Sequence, residues 1–290
     1  MEMSGRYVEI EDTRLYIEEL GAGLPLLVLH GGPGLDHHMF GDYLRPLSAH
    51  FRVVYVDQRS QGRSDCSPEE TWTIARMAQD IVSLAKSMDL GDYAVLGHSY
   101  GALVALQNAV DFPGEVLCTI VSSGFPSASY LSHVDENLRS FEPEALRGRV
   151  AASWAKESTV KTPEEVQALL ADQMPFHFAD PLDARIGEYE RRTADAIFTP
   201  DVLRHFSSQD YGGIEVEDRL GEITQPLLVL AGRHDRISSI DAARAIAEKA
   251  PESELVIFEK SGHMTFVEET PRYLEVVTNF LSKQKTSLEA

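Results

Sequence analysis

Cysteine is nearly missing from this chain: two occur among 290 residues, Cys66 in a polar stretch and Cys118 in the apolar run Val116 to Val121. Two thiols so placed exclude a disulfide framework and read as free thiols in a reducing compartment. No apolar run approaches the roughly 18 residues of a membrane span. The start, Met1-Glu2-Met3-Ser4-Gly5-Arg6, has no apolar segment of the export type, so a cytoplasmic location is the expectation. Positive charge is also scarce, with 26 basic against 46 acidic residues and a net charge of -20. A chain that acidic lacks the basic face that nucleic acid and anionic membranes need. Neither is expected as a partner; a small-molecule or short-peptide substrate is, and a homo-oligomer is compatible with the sequence. The ten histidines include no H-E-x-x-H or comparable spacing. The adjacent His37 and His38 are expected to point different ways on a helix, so no metal site is expected.

What the chain does have is an apolar run, Tyr93-Ala-Val-Leu96, that ends in Gly97-His98-Ser99-Tyr100-Gly101 and passes at once into Ala102-Leu103-Val104-Ala105-Leu106. A strand that ends in G-x-S-x-G and turns straight into a helix sets the serine on a sharp bend with its hydroxyl exposed. Ser99 is therefore the candidate nucleophile.

Other apolar runs surround it. Arg6 to Ile10 and Thr13 to Glu19 alternate as an antiparallel hairpin. Continuous runs of the doubly buried kind begin at Pro25 and recur at Phe51–Val56, Val116–Val121, Pro226–Leu230 and Leu255–Phe258. Between them stand helical patterns, such as Ile74, Met77, Ile81, Leu84 and Met88 at spacings of three and four. The expected class is α/β, a mostly parallel sheet with helices on both faces. Thr270 and Pro271 are expected to open a last helix, with Lys283 to Ala290 frayed beyond it.

From Phe125 to Gly213 the strand signal vanishes. Thr162-Pro163-Glu164-Glu165 is a capping box; Ile186, Tyr189, Thr193 and Ile197 make a second stripe, and Thr199-Pro200 starts a third helix. The expected organisation is a core of residues 1–124 and 214–290 with residues 125–213 as a helical cap. Ligands of open α/β sheets sit outside the carboxyl ends of the strands, so a cap there would cover Ser99 and choose the substrate.

A serine hydroxyl needs a base, and the base needs an orienting carboxylate. The run Pro226–Leu230 leads into Ala231-Gly232-Arg233-His234-Asp235, and Leu255–Phe258 into Glu259-Lys260-Ser261-Gly262-His263. Asp235 and His263 thus follow Ser99 in the order acid, then base, each after a later strand. The strand after the elbow ends in Ser122-Ser123-Gly124 and supplies no carboxylate. Oxyanion donors are expected from the backbone N–H of Tyr100 and from Gly32 in His30-Gly31-Gly32-Pro33-Gly34. That glycine-rich turn lacks the spacing and the lysine of a phosphate loop.

These segments, with Asp57-Gln58-Arg59-Ser60-Gln61-Gly62-Arg63-Ser64, resemble the α/β-hydrolase superfamily and, within it, the proline iminopeptidase branch. The resemblance implies an α/β-hydrolase fold and a serine hydrolase working through an acyl-enzyme without metal or cofactor, removing an N-terminal residue from peptides or amides. It also implies cap carboxylates for the substrate ammonium, with Asp183, Glu188, Glu190 and Asp195 as candidates. Arg185, Arg191 and Arg192 alternate with these, which favours surface ion pairs. Arg236 stands where some relatives carry a further acid. The same machinery would serve a carboxylesterase or lactonase, because the cap sets the substrate. A binding protein on this fold would show a broken triad, and none is seen.

Overall fold

In the computed structural model, residues 4–289 are described, with side chains from 5 to 286. Residues 1–3 and 290, part of the polar start and of the expected frayed end, lie outside them. The chain opens with β1 (Ser4–Ile10), β2 (Thr13–Leu20), β3 (Pro25–Leu29) and β4 (Arg52–Val56). Next come α1 (Ile74–Ser87), β5 (Ala94–His98), α2 (Tyr100–Asp111) and β6 (Cys118–Ser122). After β6 run α3 (Ser132–Arg139), α4 (Glu144–Lys156), α5 (Pro163–His177), α6 (Arg185–Arg192) and α7 (Pro200–Ser207). The chain then returns to β7 (Leu227–Gly232), α8 (Ile240–Lys249), β8 (Ser253–Phe258), α9 (Thr265–Glu268) and α10 (Thr270–Glu289).

The eight strands form one sheet in the order β1-β2-β4-β3-β5-β6-β7-β8. β1 and β2 pair antiparallel, β2 joins β4 antiparallel, and every later pairing is parallel. β3, β5, β6 and β7 are buried along their whole length, which is why they read as unbroken apolar runs instead of alternating ones. Two apolar layers cover the faces. One joins α1, α2 and α8 to the sheet, and the other joins α10 and the turns after β3.

The chain leaves β3 for β4 on one side and later returns to β5 on the other. Connections diverge at that point, which opens a crevice at the carboxyl ends of β3 and β5. Between β6 and β7 the described residues hold helices and a single isolated bridge, Ser127 with Glu215, but no strand. The Thr162 capping box forms, with Thr162 Oγ1 accepting from Glu165 N at 3.3 Å and Glu165 Oε2 accepting from Thr162 N at 3.2 Å.

Three boundaries differ from the sequence reading. α6 ends at Arg192, with Thr193 outside the helical region at φ -114 and ψ 16, so Ile197 is not on its stripe. Thr270 does not cap a helix start; its hydroxyl donates back to Phe266 O at 2.7 Å and Val267 O at 3.1 Å, continuing the turn of α9. α10 also runs on through Lys283 to Glu289, because Phe280, Leu281 and Gln284 remain buried and hold its last turns to the body of the protein.

Strand and helix approach very closely where β5 gives way to α2. A Cβ added to Gly97 would stand 2.0 Å from Gly101 O, and one added to Gly101 would stand 2.3 Å from Leu29 O. Ordinary carbon–oxygen contact needs far more, so only hydrogen fits at either position. Gly97→Ala is expected to push strand and helix apart by about 1 Å, costing about 1–3 kcal/mol in stability and about a hundredfold in turnover. Thermal melts and kcat measured on the same preparation check both.

Candidate active site

The turn from β5 into α2 places Ser99 at φ 55 and ψ -120, a conformation that non-glycine residues adopt only when their surroundings force it. Ser99 N donates to Ser122 O at 2.9 Å, and Ser99 O accepts from Ala102 N at 2.9 Å. The bend is thus clamped on both sides, and the hydroxyl projects over the sheet rim.

Asp235 and His263 arrive there from the ends of β7 and β8. His263 Nε2 lies 2.8 Å from Ser99 Oγ, and His263 Nδ1 lies 2.8 Å from Asp235 Oδ2. A carboxylate accepts only, so Nδ1 carries the proton toward Asp235 and Nε2 is left as acceptor for the serine hydroxyl. The second oxygen, Asp235 Oδ1, accepts from Ile237 N at 2.8 Å and Ser238 N at 2.9 Å, which fixes the carboxylate plane. His263 is held at its backbone too, with N donating to His177 O at 2.7 Å and O accepting from Ser123 Oγ at 3.0 Å.

Gly32 and Tyr100 line the same cavity as Ser99 and His263. Tyr100 is the first residue of α2, so its N–H has no partner within the helix and sits at the positive end of the helix dipole. Gly32 has φ 115, open to glycine and strained for other residues. Its loop is fastened from below: Gly34 N donates to Gln61 Oε1 at 2.7 Å, and Gln58 Nε2 donates to His30 O at 2.8 Å.

Two more imidazoles face His263, with ring centroids at 5.2 Å for His98 and 5.4 Å for His177. Burial, and then repulsion from His263, pushes His98 well below the ordinary histidine range. The same causes bring His177 down to about 4. Both rings are therefore neutral near pH 7.

The family model for the alpha/beta hydrolase fold matches residues 25–270. The chain belongs to that family. Among its relatives, the proline iminopeptidase of Saccharolobus solfataricus is 31% identical over 282 residues, covering 91% of this chain and 86% of the relative. That of Clostridium botulinum is 28% identical over 277 residues, covering 93% and 94%. Of solved structures, the proline iminopeptidase of Mycobacterium smegmatis superposes with a TM-score of 0.76 at 22% identity, covering 98% of this chain and 100% of its own. An esterase from Exiguobacterium antarcticum gives 0.75 at 23%, covering 96% and 100%. The protein is a hydrolase similar to the proline iminopeptidase branch, and the structural likenesses speak for the fold alone.

The cavity of this hydrolase contains a carboxylate that sequence reasoning missed. Glu157 lies just past α4 and is 5% exposed. It lines the cavity together with Trp154, Gln173 and Tyr211. Its Oε1 accepts from Gln173 Nε2 at 2.6 Å, and its Oε2 accepts from the Tyr211 hydroxyl. Burial raises its pKa against the lowering effect of those two donors. Tyr211 is itself held at φ 55, a strained backbone for an aromatic residue. Nothing in Lys156-Glu157-Ser158 distinguishes Glu157 from a surface acid, since its burial comes from residues 16 and 54 positions away.

None of the four carboxylates proposed from the sequence lines that cavity among the described residues. Asp183 pairs with Arg185, and Glu188 pairs with Arg192 at 3.1 Å. Glu190 and Asp195 are exposed. Arg236 has a structural task, as Nη1 donates to Phe176 O at 3.3 Å, inside the last turn of α5, and to Phe178 O at 2.5 Å, while Nη2 donates to Ala179 O at 3.1 Å, tying down the end of that helix and the residues after it.

The expectation that His37 and His38 diverge does not hold. Both lie in a 3-10 turn, His37–Phe40, with ring centroids 4.2 Å apart. Asp57 draws His37 Nδ1 to 2.6 Å, and Asp36 draws His38 Nδ1 to 2.7 Å. Carboxylates at fixed points in the fold set these rings, overriding the angular spacing of a regular helix.

His177 yields a prediction about pH. The unfolded chain takes up a proton at this residue near 6.5, whereas the folded chain resists until about 4. Its stabilising contribution is present above about 6.5 and is lost as pH falls toward about 4. In melts across that window, His177→Asn is expected to lose less Tm with acidification than the unaltered protein. Equal slopes would remove the histidine from the account.

Proposed function

We propose that this chain is a serine aminopeptidase or amino-acid amidase that releases an N-terminal residue, proline being the one its relatives' names suggest. In this reading Ser99 attacks the carbonyl while His263 takes the hydroxyl proton and returns it to the leaving amine. Asp235 holds the imidazole tautomer and stabilises its charged form. The N–H groups of Gly32 and Tyr100 receive the oxyanion. Water then enters through the same imidazole and frees the acyl group from Ser99. Residues 125–213 act as the cap that selects the substrate.

The observation that carries a peptide substrate over an ester is Glu157. A buried carboxylate on a substrate cavity is costly unless a cation meets it. The ammonium of a free N-terminus supplies that cation, and Tyr211 and Gln173 hold the carboxylate ready for it. The apolar remainder of the wall, including Leu103, Phe125, Met174 and Ile237, suits a ring such as proline's. That same wall favours the second reading, an esterase or lactonase for small acyl groups.

A panel of prolyl and alanyl anilides beside short acyl esters separates the two. Ester turnover with no anilide turnover across about pH 6 to 9 would overturn the peptidase reading. Ser99→Ala is expected to lower kcat by at least about 10⁴-fold while leaving Tm nearly unchanged, since the partly buried hydroxyl carries little packing. Glu157→Gln is expected to raise KM for free-amine anilides by about tenfold or more, the worth of one hydrogen bond to a charged group. Ester turnover in that variant should stay within about threefold of the unaltered protein; equal losses on both substrates would assign Glu157 a structural task.

A further inference from the structure

Behind the Gly31–Gly34 loop, away from Ser99, the structure gathers a second set of chemically active side chains. His37 is 3% exposed, and its Nδ1 is engaged by Asp57 Oδ1 at 2.6 Å. Its other nitrogen, Nε2, is buried with no hydrogen-bond partner. That nitrogen faces Glu18 Oε2 at 3.5 Å, and Glu18 Oε1 accepts from the Tyr16 hydroxyl at 2.9 Å. With its proton on Nδ1, His37 turns a lone pair toward a carboxylate oxygen that also offers a lone pair. A positive charge between them resolves the conflict.

The surroundings have the build of a metal site. Glu18, His37 and His38 each bring one possible ligand atom, a carboxylate oxygen or a ring nitrogen, within 4.8 Å of the other two, and His38 Nδ1 is backed by Asp36 at 2.7 Å. Imidazoles whose Nδ1–H is held by a carboxylate are the usual form of histidine metal ligands, because the bond fixes the tautomer and makes the free nitrogen more basic. The separation of 3.5 Å between Nε2 and Oε2 matches the edge of a tetrahedron with bonds of about 2.1 Å, roughly 3.4 Å. The guanidinium that reaches the cluster is Arg63, 3.5 Å from Asp36 and 3.4 Å from His38 Nδ1. Glu18, Asp36 and Asp57 outnumber it three to one, which favours a further cation.

We propose that Glu18, His37 and His38 form a binding site for one divalent transition-metal ion of the zinc type, with water as the fourth ligand. Two histidines and one carboxylate suit such an ion better than magnesium or calcium, which prefer all-oxygen sets. The ion would join β2 to the turn after β3. Through Asp57, which also accepts from Arg63 N at 2.8 Å, it would reach the loop after β4. Its role is to brace the loop that carries Gly32, with no part in bond cleavage.

The test is calorimetric titration of the full-length, chelator-treated protein with Zn²⁺, alongside thermal melts. The unaltered protein should bind one Zn²⁺ per chain and melt at higher temperature with it. Glu18→Gln and His38→Gln, both partly exposed positions that should tolerate replacement, are each expected to weaken binding at least about tenfold and to abolish the Tm gain. No binding by the unaltered protein would show that a proton alone occupies the gap and overturn the proposal. Binding that survives both substitutions would place the ion elsewhere, for example at His263, and overturn it too.

Discussion

The contact of Gly97 with Gly101, and of Gly101 with the carbonyl of Leu29, is the constraint on which the site depends. A helix can begin that close to the strand before it, and to the neighbouring strand, only if no side chain intervenes. Once it does, Ser99 has no relaxed backbone available and is held at φ 55. The strain keeps the hydroxyl clear of the sheet and leaves the first N–H of α2 facing the same space. A relaxed turn would let the serine fold back into solvent, and the donor would move with it.

Around that bend the fold spends many weak interactions on keeping three loops in register. Ser123 connects the end of β6 to both others: its Oγ donates to His263 O, and its O accepts from Ser238 Oγ at 2.7 Å. Glu268 accepts from Gly262 N and Ala179 N, both at 2.8 Å, linking the His263 loop to the chain after α5. Gly232 and Gly262 approach so closely that a Cβ on the former would stand 1.9 Å from the carbonyl of the latter. The position of His263 is therefore determined by neighbours on several elements, and this distributes the cost of ordering it.

The helical segment between β6 and β7 meets the sheet through these same loops. His177 closes α5 and receives the backbone N–H of His263, while Arg236, next to Asp235, donates to Phe176 O in the last turn of that helix and to Phe178 O just past it. Moving α5 would thus disturb the base as well as the cavity wall. The two features that would set substrate preference, Glu157 and the apolar wall, hang from the same framework as the hydrogen-bonded chain of Ser99, His263 and Asp235.

The sequence by itself determined the α/β class, the elbow, and the order of Ser99, Asp235 and His263. Each of these rests on local signals: unbroken apolar runs mark doubly buried strands, and loops that follow such strands emerge at one edge of a parallel sheet. Tertiary structure alone decided which carboxylate between β6 and β7 reaches the cavity, where α6 and α10 end, and how His37 and His38 are turned. Glu157 is buried by Gln173 and Tyr211, and the two histidine rings are set by Asp57 and Asp36. These partners are remote along the chain or outside any periodic pattern, so their effect exists only once the chain has folded. Local pattern specifies backbone form, whereas the surroundings of a charged side chain are a property of the whole assembly of elements.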